Sequence, residues 1–215
     1  MSYKSFKNYG SSALANGLYI RSLSATPITD NTFTSNSLTV SNLSPPQNDA
    51  YTASSSSSLF VGGIHYQAYL CLNGQTTNDR DFWHVAVKNY SGYTQNPYLN
   101  GIYQGGGDSS INYYSTMTTT ETIVGEWMQI HLPFSLDLTE YNLKPRPFPG
   151  RCPRTFSVLG SNDGTTWTIL DSQLNIARFT ELRTFYVSNI SPNYYTYFRI
   201  VFTETEPAYG DVVNI

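Results

Sequence analysis

Three histidines, His65, His84 and His131, are the side chains best suited to take a proton or a metal near neutral pH. They lie far apart, each in a strand-like or strand-edge setting, so only the fold could give them a shared role. His84 stands out because it follows Trp83 at the end of a polar loop, residues 73 to 81. That loop, Asn73-Gly74-Gln75-Thr76-Thr77-Asn78-Asp79-Arg80-Asp81, is dense in oxygen ligands and donors. Oxygen-rich loops can wrap Ca2+, and Asn73 and Thr76 are the weak candidates here, although EF-hand spacing is absent. Downstream, Tyr90, Tyr93, Tyr98 and Tyr103 fall among Asn, Gly, Ser and Gln. This composition suits a surface that stacks on sugar faces and hydrogen-bonds hydroxyls; it is equally that of many β-sandwiches with no ligand. Gly105-Gly106-Gly107-Asp108 lacks the following Lys or helix that a phosphate loop needs, and reads as a hairpin tip. GxSxG, HExxH, GxxxxGK[ST] and GxGxxG are all missing. No nucleophile, base and orienter can be named, so a non-enzyme is expected, with no catalytic residues.

The elements that must position these residues are strands. Helical periodicity is almost absent, while short β-branched and aromatic stretches recur between clusters of Gly, Pro, Asn, Asp and Ser. The clearest run from Trp127 to Leu132, Phe156 to Gly160, Thr166 to Leu170, Thr184 to Val187 and Tyr197 to Thr203. Met128, Ile130 and Leu132 alternate with Gln129 and His131, and Phe198, Ile200 and Phe202 alternate with Tyr197, Arg199 and Val201, which assigns an inward face to each strand. Trp127, Phe156, Trp167 and Phe198 are assigned to core or inter-sheet packing. Ser161-Asn162-Asp163-Gly164 carries a tight-hairpin signal, because Gly supplies positive φ. Such a series predicts an all-β jelly-roll β-sandwich. Residues 1–24 are less patterned and are expected to be an N-terminal arm or added strand, with the sandwich spanning 25–215. The serine run Ser54 to Ser58 resembles a linker in isolation, but Leu59-Phe60-Val61 follows at once, so a polar edge strand or loop inside the domain is predicted.

Composition excludes several partners. Only 13% of the 215 residues are charged, about half the ~25% usual for globular domains. A net charge of -3 leaves no footprint for a phosphate backbone, so no nucleic-acid partner is expected. No apolar run approaches the ~18 residues of a membrane span. The first ten residues carry two lysines with no apolar stretch of roughly 7–15 residues behind them, so no secretory signal is expected at this N-terminus. Cys71 and Cys152 form no CxxC pair; they are either one disulfide or two isolated thiols, the second being preferred.

Four blocks of the chain resemble a known family. They are Gly125-Glu126-Trp127-Met128-Gln129-Ile130-His131-Leu132-Pro133, Tyr141-Asn142-Leu143-Lys144-Pro145-Arg146, the stretch from Pro153 through Phe156 and Asn162-Asp163-Gly164 to Trp167, and Tyr197-Phe198-Arg199-Ile200-Val201. In this order they look like successive parts of the coagulation factor 5/8 type C, or discoidin, domain. Ala68-Tyr69-Leu70-Cys71-Leu72-Asn73-Gly74 through Phe82-Trp83 is similar to the loop in which that family's Ala-Phe-Asp-Gly segment precedes a Trp. The resemblance covers roughly residues 48 to 215. It implies a galactose-binding-domain-like sandwich, non-enzymatic, used for attachment to glycans, lipids or proteins. The wording of the blocks also resembles domains in proteins of large DNA viruses and aquatic microbes, where they serve as virion or surface modules. Asn73 stands where the family usually has Asp, which removes a charge from the Ca2+ candidate. Cofactors are therefore expected to be none. The membrane-inserting apolar spikes of the clotting-factor branch are not evident.

These readings lead to an expected structural or attachment module, foremost of a virion and in partnership with other capsid or surface proteins. The alternative is a carbohydrate-binding module of a cell-surface or secreted protein. A ligand site is expected at one end of the sandwich, on the Asn73 to Trp83 loop with His84, the Tyr90 to Tyr93 loop and the Phe148 to Arg151 loop. There Arg80 and Arg151 would donate to hydroxyls, Asn78 and Asp81 would accept or donate, and Tyr90 or Tyr93 would stack on a sugar ring. Family members generally close with one more strand. Val212, Val213 and Ile215 begin that alternating pattern, so residues 212–215 are expected to pair in a sheet, with the strand truncated and continued by further chain or a partner's edge.

Overall fold

The computed structural model describes residues 19–20, 52–66, 68, 82–86, 96–105, 114–117, 121–146, 151–187, 194–207, 213 and 215. The expected all-β jelly-roll sandwich is the architecture observed. Its long sheet runs β2 (Thr52–Ser55), β9 (Glu126–Asp137), β14 (Tyr194–Thr205), β11 (Pro153–Ser161), β12 (Thr166–Gln173), β7 (Tyr114–Met117) and β8 (Thr122–Val124). Along it only β12 and β7 pair in parallel. The hairpin of β5 (Tyr98–Leu99) and β6 (Ile102–Tyr103) joins the long sheet at β14. A second sheet contains β1 (Tyr19–Ile20), β10 (Glu140–Leu143) and β13 (Arg183–Tyr186), and β3 (Leu59–Val61) with β4 (Ile64–Tyr66) makes a separate hairpin. Among the described residues no helix is long and apolar enough to cross a membrane.

The two-residue period of the strands decides what is buried where. Met128, Ile130, Leu132, Phe156, Phe198, Ile200 and Phe202 face Tyr141, Leu143 and Phe185 of the second sheet in one core. Phe156 and Phe185 meet edge to face at 5.5 Å, and Tyr141 stacks on Phe185 at 5.2 Å. The Tyr141 hydroxyl donates to the buried Asp171 carboxylate at 2.6 Å, a hydrogen bond that ties β10 to β12. A register shift in the β11–β12 ladder leaves Leu170 unpaired just before Asp171.

The opposite face of the long sheet holds a smaller cluster, Met117, Leu159, Trp167 and Val201. Here the structure refines the assignment of the tryptophans. Trp167 is buried in this outer cluster, and Trp127 is half-buried beside it, because turning Met128 inward must turn Trp127 outward. Between them lies the Arg199 guanidinium, 4.0 Å from the Trp127 ring and 4.1 Å from the Trp167 ring. It donates to Ser115 Oγ at 2.8 Å and to Gln129 Oε1 at 2.8 and 3.1 Å. Burial lowers its pKa to about 10, so it stays charged at neutral pH and is held by ring faces and two polar partners.

The turns follow local chemistry. Gly164 adopts φ +72° in the β11–β12 hairpin. There Asp163 Oδ1 accepts from the Thr165 and Thr166 amides, each at 2.8 Å, and from Ser161 Oγ at 2.9 Å. These bonds hold the Asp163 carboxyl well below the usual carboxylate range. The serine run is part of the domain, as expected: it supplies β2 and then a turn whose Ser57 is buried. Cys152 is a free, buried thiol, and Cys71 lies outside the described residues.

Candidate functional site

Residues 82–86 carry the site and form an extended segment paired on both edges. On one edge the Trp83 amide donates to Ile215 O at 2.7 Å, the Ile215 amide returns to Trp83 O at 3.2 Å, and Val85 N donates to Val213 O at 3.4 Å. On the other, His84 N donates to Tyr66 O at 3.3 Å and Leu59 N to His84 O at 2.8 Å, so the open end of the β3–β4 hairpin abuts His84. Trp83 and Val85 enter the core together with Val213 and Ile215. Alternation therefore turns Phe82 and His84 the other way, their rings 6.2 Å apart. Trp83 locks the segment, its indole Nε1–H donating to Ser57 O at 2.8 Å.

Around Phe82 and His84 the fold gathers residues distant in sequence. Tyr66 stacks on Phe82 at 4.9 Å and 26°, and the Arg146 guanidinium carbon lies 4.5 Å over the same ring. The His84 ring is buried, and its Nδ1 is 2.6 Å from Val85 O. A carbonyl accepts only, so Nδ1 carries the hydrogen and the neutral ring keeps its lone pair on Nε2. Burial, above all, lowers the imidazole pKa from 6.5 to about 3; the Arg151 and Arg146 charges push the same way, and the Val85 bond opposes them. Arg151 is half-buried, and its own pKa is lowered by burial and then by Arg146.

The arrangement thus sets a neutral acceptor near two guanidinium groups, each a fork of five N–H donors, against a Tyr–Phe wall. It suits hydroxyls, which can donate to an imidazole nitrogen while accepting from a guanidinium. It does not suit general-base work, because a base with pKa about 3 is far from the operating pH that such catalysis favours.

Of the sequence-predicted site residues, His84 and Arg151 are brought together. Asn78, Arg80, Asp81, Tyr90 and Tyr93, like the Ca2+ candidates Asn73 and Thr76, lie outside the described residues. His131 stacks on Tyr197 at 4.0 Å and 13° along the long sheet, and His65 pairs with Phe60 in the β3–β4 hairpin. Tyr66, Phe82 and Arg146 were not singled out as site residues from sequence. Phe82 had a signal: two-residue periodicity about Trp83 puts it on the face of His84. Arg146 closes one of the blocks that carry the family resemblance, but nothing local ties it to Phe82.

No family model matches the chain, and no curated protein matches it. Among solved structures, it is similar to CpGH89CBM32-5 from Clostridium perfringens in complex with GalNAc-β-1,3-galactose, with 14% identity and a TM-score of 0.47 over 76% of this chain and 89% of that one. It is similar to the family 32 carbohydrate-binding module of C. perfringens NanJ in complex with galactose, with 11% identity and a TM-score of 0.45 over 77% of this chain and 88% of that one. It is also similar to chitosan-binding module 1 of a chitosanase/glucanase from Paenibacillus sp. IK-5, with 13% identity and a TM-score of 0.41 over 72% of this chain and 83% of that one.

Proposed function

We propose that this chain is a non-catalytic glycan-binding module of a cell-surface or secreted assembly, binding through Tyr66, Phe82, His84, Arg146 and Arg151 at one end of the sandwich. The observation that carries the reading is the cluster itself: Tyr66 stacked on Phe82, the Arg146 guanidinium over the same ring, and a neutral His84 that feels the charges of Arg146 and Arg151. A sugar matches that set in kind: its hydroxyls exchange hydrogen bonds with imidazole and guanidinium groups, and the apolar face of its ring suits an aromatic wall. Asn78, Arg80, Asp81, Tyr90 and Tyr93 are proposed as further ligand residues on the sequence reading alone. A role in a virion draws on the sequence resemblance alone, and the site geometry favours the glycan reading.

A glycan array probed at neutral pH, with galactosides and chitosan oligosaccharides on the panel, tests this. Reproducible retention on a subset of related glycans is the expected outcome. Uniform absence of retention would sink the reading.

A further inference from the structure

We infer that the Glu126 carboxyl is a pH-responsive latch behind the site: when it ionises, the Ser56–Ser57 turn loosens and releases the segment that carries Phe82 and His84. Glu126 opens β9 and is fully buried. Its Oε2 accepts from Ser56 Oγ and, at 2.8 Å, from Ser57 Oγ. Its Oε1 is also buried and accepts no hydrogen bond among the described residues. A buried carboxylate with one oxygen unsatisfied is costly, whereas the protonated acid removes the charge while Oε2 can still accept from both serines.

The same two serines hold the site strand. Ser57 Oγ accepts from Ala86 N at 3.1 Å, Ser57 O accepts from the Trp83 indole at 2.8 Å, and Ser56 Oγ accepts from Trp127 N at 2.8 Å. Glu126, the turn and residues 83–86 are therefore one hydrogen-bonded unit, and hydrating the carboxylate means opening that unit.

Among the described residues, the groups packed about Glu126 offer no opposing charge. Its β14 neighbour is Phe202, whose carbonyl accepts from the Tyr98 hydroxyl of β5 at 2.9 Å. Burial first, and the Glu126 charge second, keep that phenol neutral to well above its ordinary range. His84, on the site strand, is neutral as well. No cation is among the groups that set the ionisation of Glu126, whose pKa burial raises from 4.5 to about 7 against the two serine hydroxyls. The consequence for ligand binding rests on the glycan reading above; the latch itself does not.

Hydrogen exchange of the whole chain by NMR tests it without any ligand, at the Trp83 indole N–H and the Ala86 amide, from pH 4.5 to 8, in the wild type and in Glu126→Gln. After correction for intrinsic exchange, the ratio of the wild-type opening constant to that of Glu126→Gln should rise by up to tenfold per pH unit from 4.5 to about 7 and level off above, where the closed state is ionised as well. A ratio independent of pH across that window would overturn the latch. Should Glu126→Gln fail to fold, the carboxyl carbon shift of Glu126 in the wild-type chain decides the matter: a midpoint near 7 supports the latch and one below about 5.5 overturns it. Exchange and glycan array are separate readouts, so failure of one proposal is distinguishable from failure of the other.

Discussion

Replacing Phe198 by Ala is expected to lower the melting temperature by on the order of 10 °C before it alters any binding. Phe198 is 1% exposed, sits between Gly160 of β11 and Ile130 of β9, and meets Tyr195 edge to face at 6.5 Å. Removing such a ring costs about 3–5 kcal/mol through lost transfer energy and the cavity left behind. That is a large share of the ~5–15 kcal/mol that holds a domain together. At about 2–4 °C per kcal/mol for a chain of this size, the shift follows. Phe198→Leu should recover most of the loss. Thermal melts by circular dichroism report both, and a normally melting Phe198→Ala chain would mean that the inward face of β14 has been misassigned.

The second large effect is a pair of opposed pH dependences. The folded pKa of His84 lies below its ordinary 6.5, at about 3. The stability of the neutral ring is therefore intact above 6.5 and is lost as pH falls toward 3. The folded pKa of Glu126 lies above its ordinary 4.5, at about 7, so its contribution is intact below 4.5 and is lost as pH rises toward 7. Between 4.5 and 6.5 the two slopes run in opposite directions, each about 1.4 kcal/mol per pH unit. They cancel, and melting should be nearly flat there as far as these two groups decide it. His84→Gln exposes the Glu126 slope, so that variant melts lower at pH 6.5 than at 4.5. Glu126→Gln exposes the His84 slope and does the reverse. Melts of the three proteins at pH 4.5, 5.5 and 6.5 check this, and parallel profiles would show that these residues do not titrate as their burial implies.

The strands were legible in sequence because their signals are local. Alternation over Trp127 to Leu132 and Tyr197 to Thr203 identifies an inward face without knowledge of the partner strand, and the Asn162-Asp163-Gly164 turn contains its own explanation in the Asp163 hydrogen bonds. The site was less legible because its contacts are long-range. Residues 82–86 pair with Val213 and Ile215, near the other end of the sequence, and Arg146 reaches Phe82 only once the sandwich has closed. Trp127 illustrates a different limit: an aromatic in a strand reads as core, yet the alternation that buries Met128 sends Trp127 to the outer face with Arg199. The serine run illustrates a third. Its composition is that of a linker, and its function in the fold, donating to one oxygen of a buried carboxyl, depends on Glu126, seventy positions away from Ser56.

The central claim, that the end of the sandwich around His84 binds glycan through its two arginines, is tested most directly by comparing the wild-type chain with an Arg146→Ala, Arg151→Ala double variant on the same glycan array. The account predicts selective retention by the wild type and at least a tenfold loss in the variant, with circular dichroism showing the sheet intact. Equal retention by a folded double variant would contradict it.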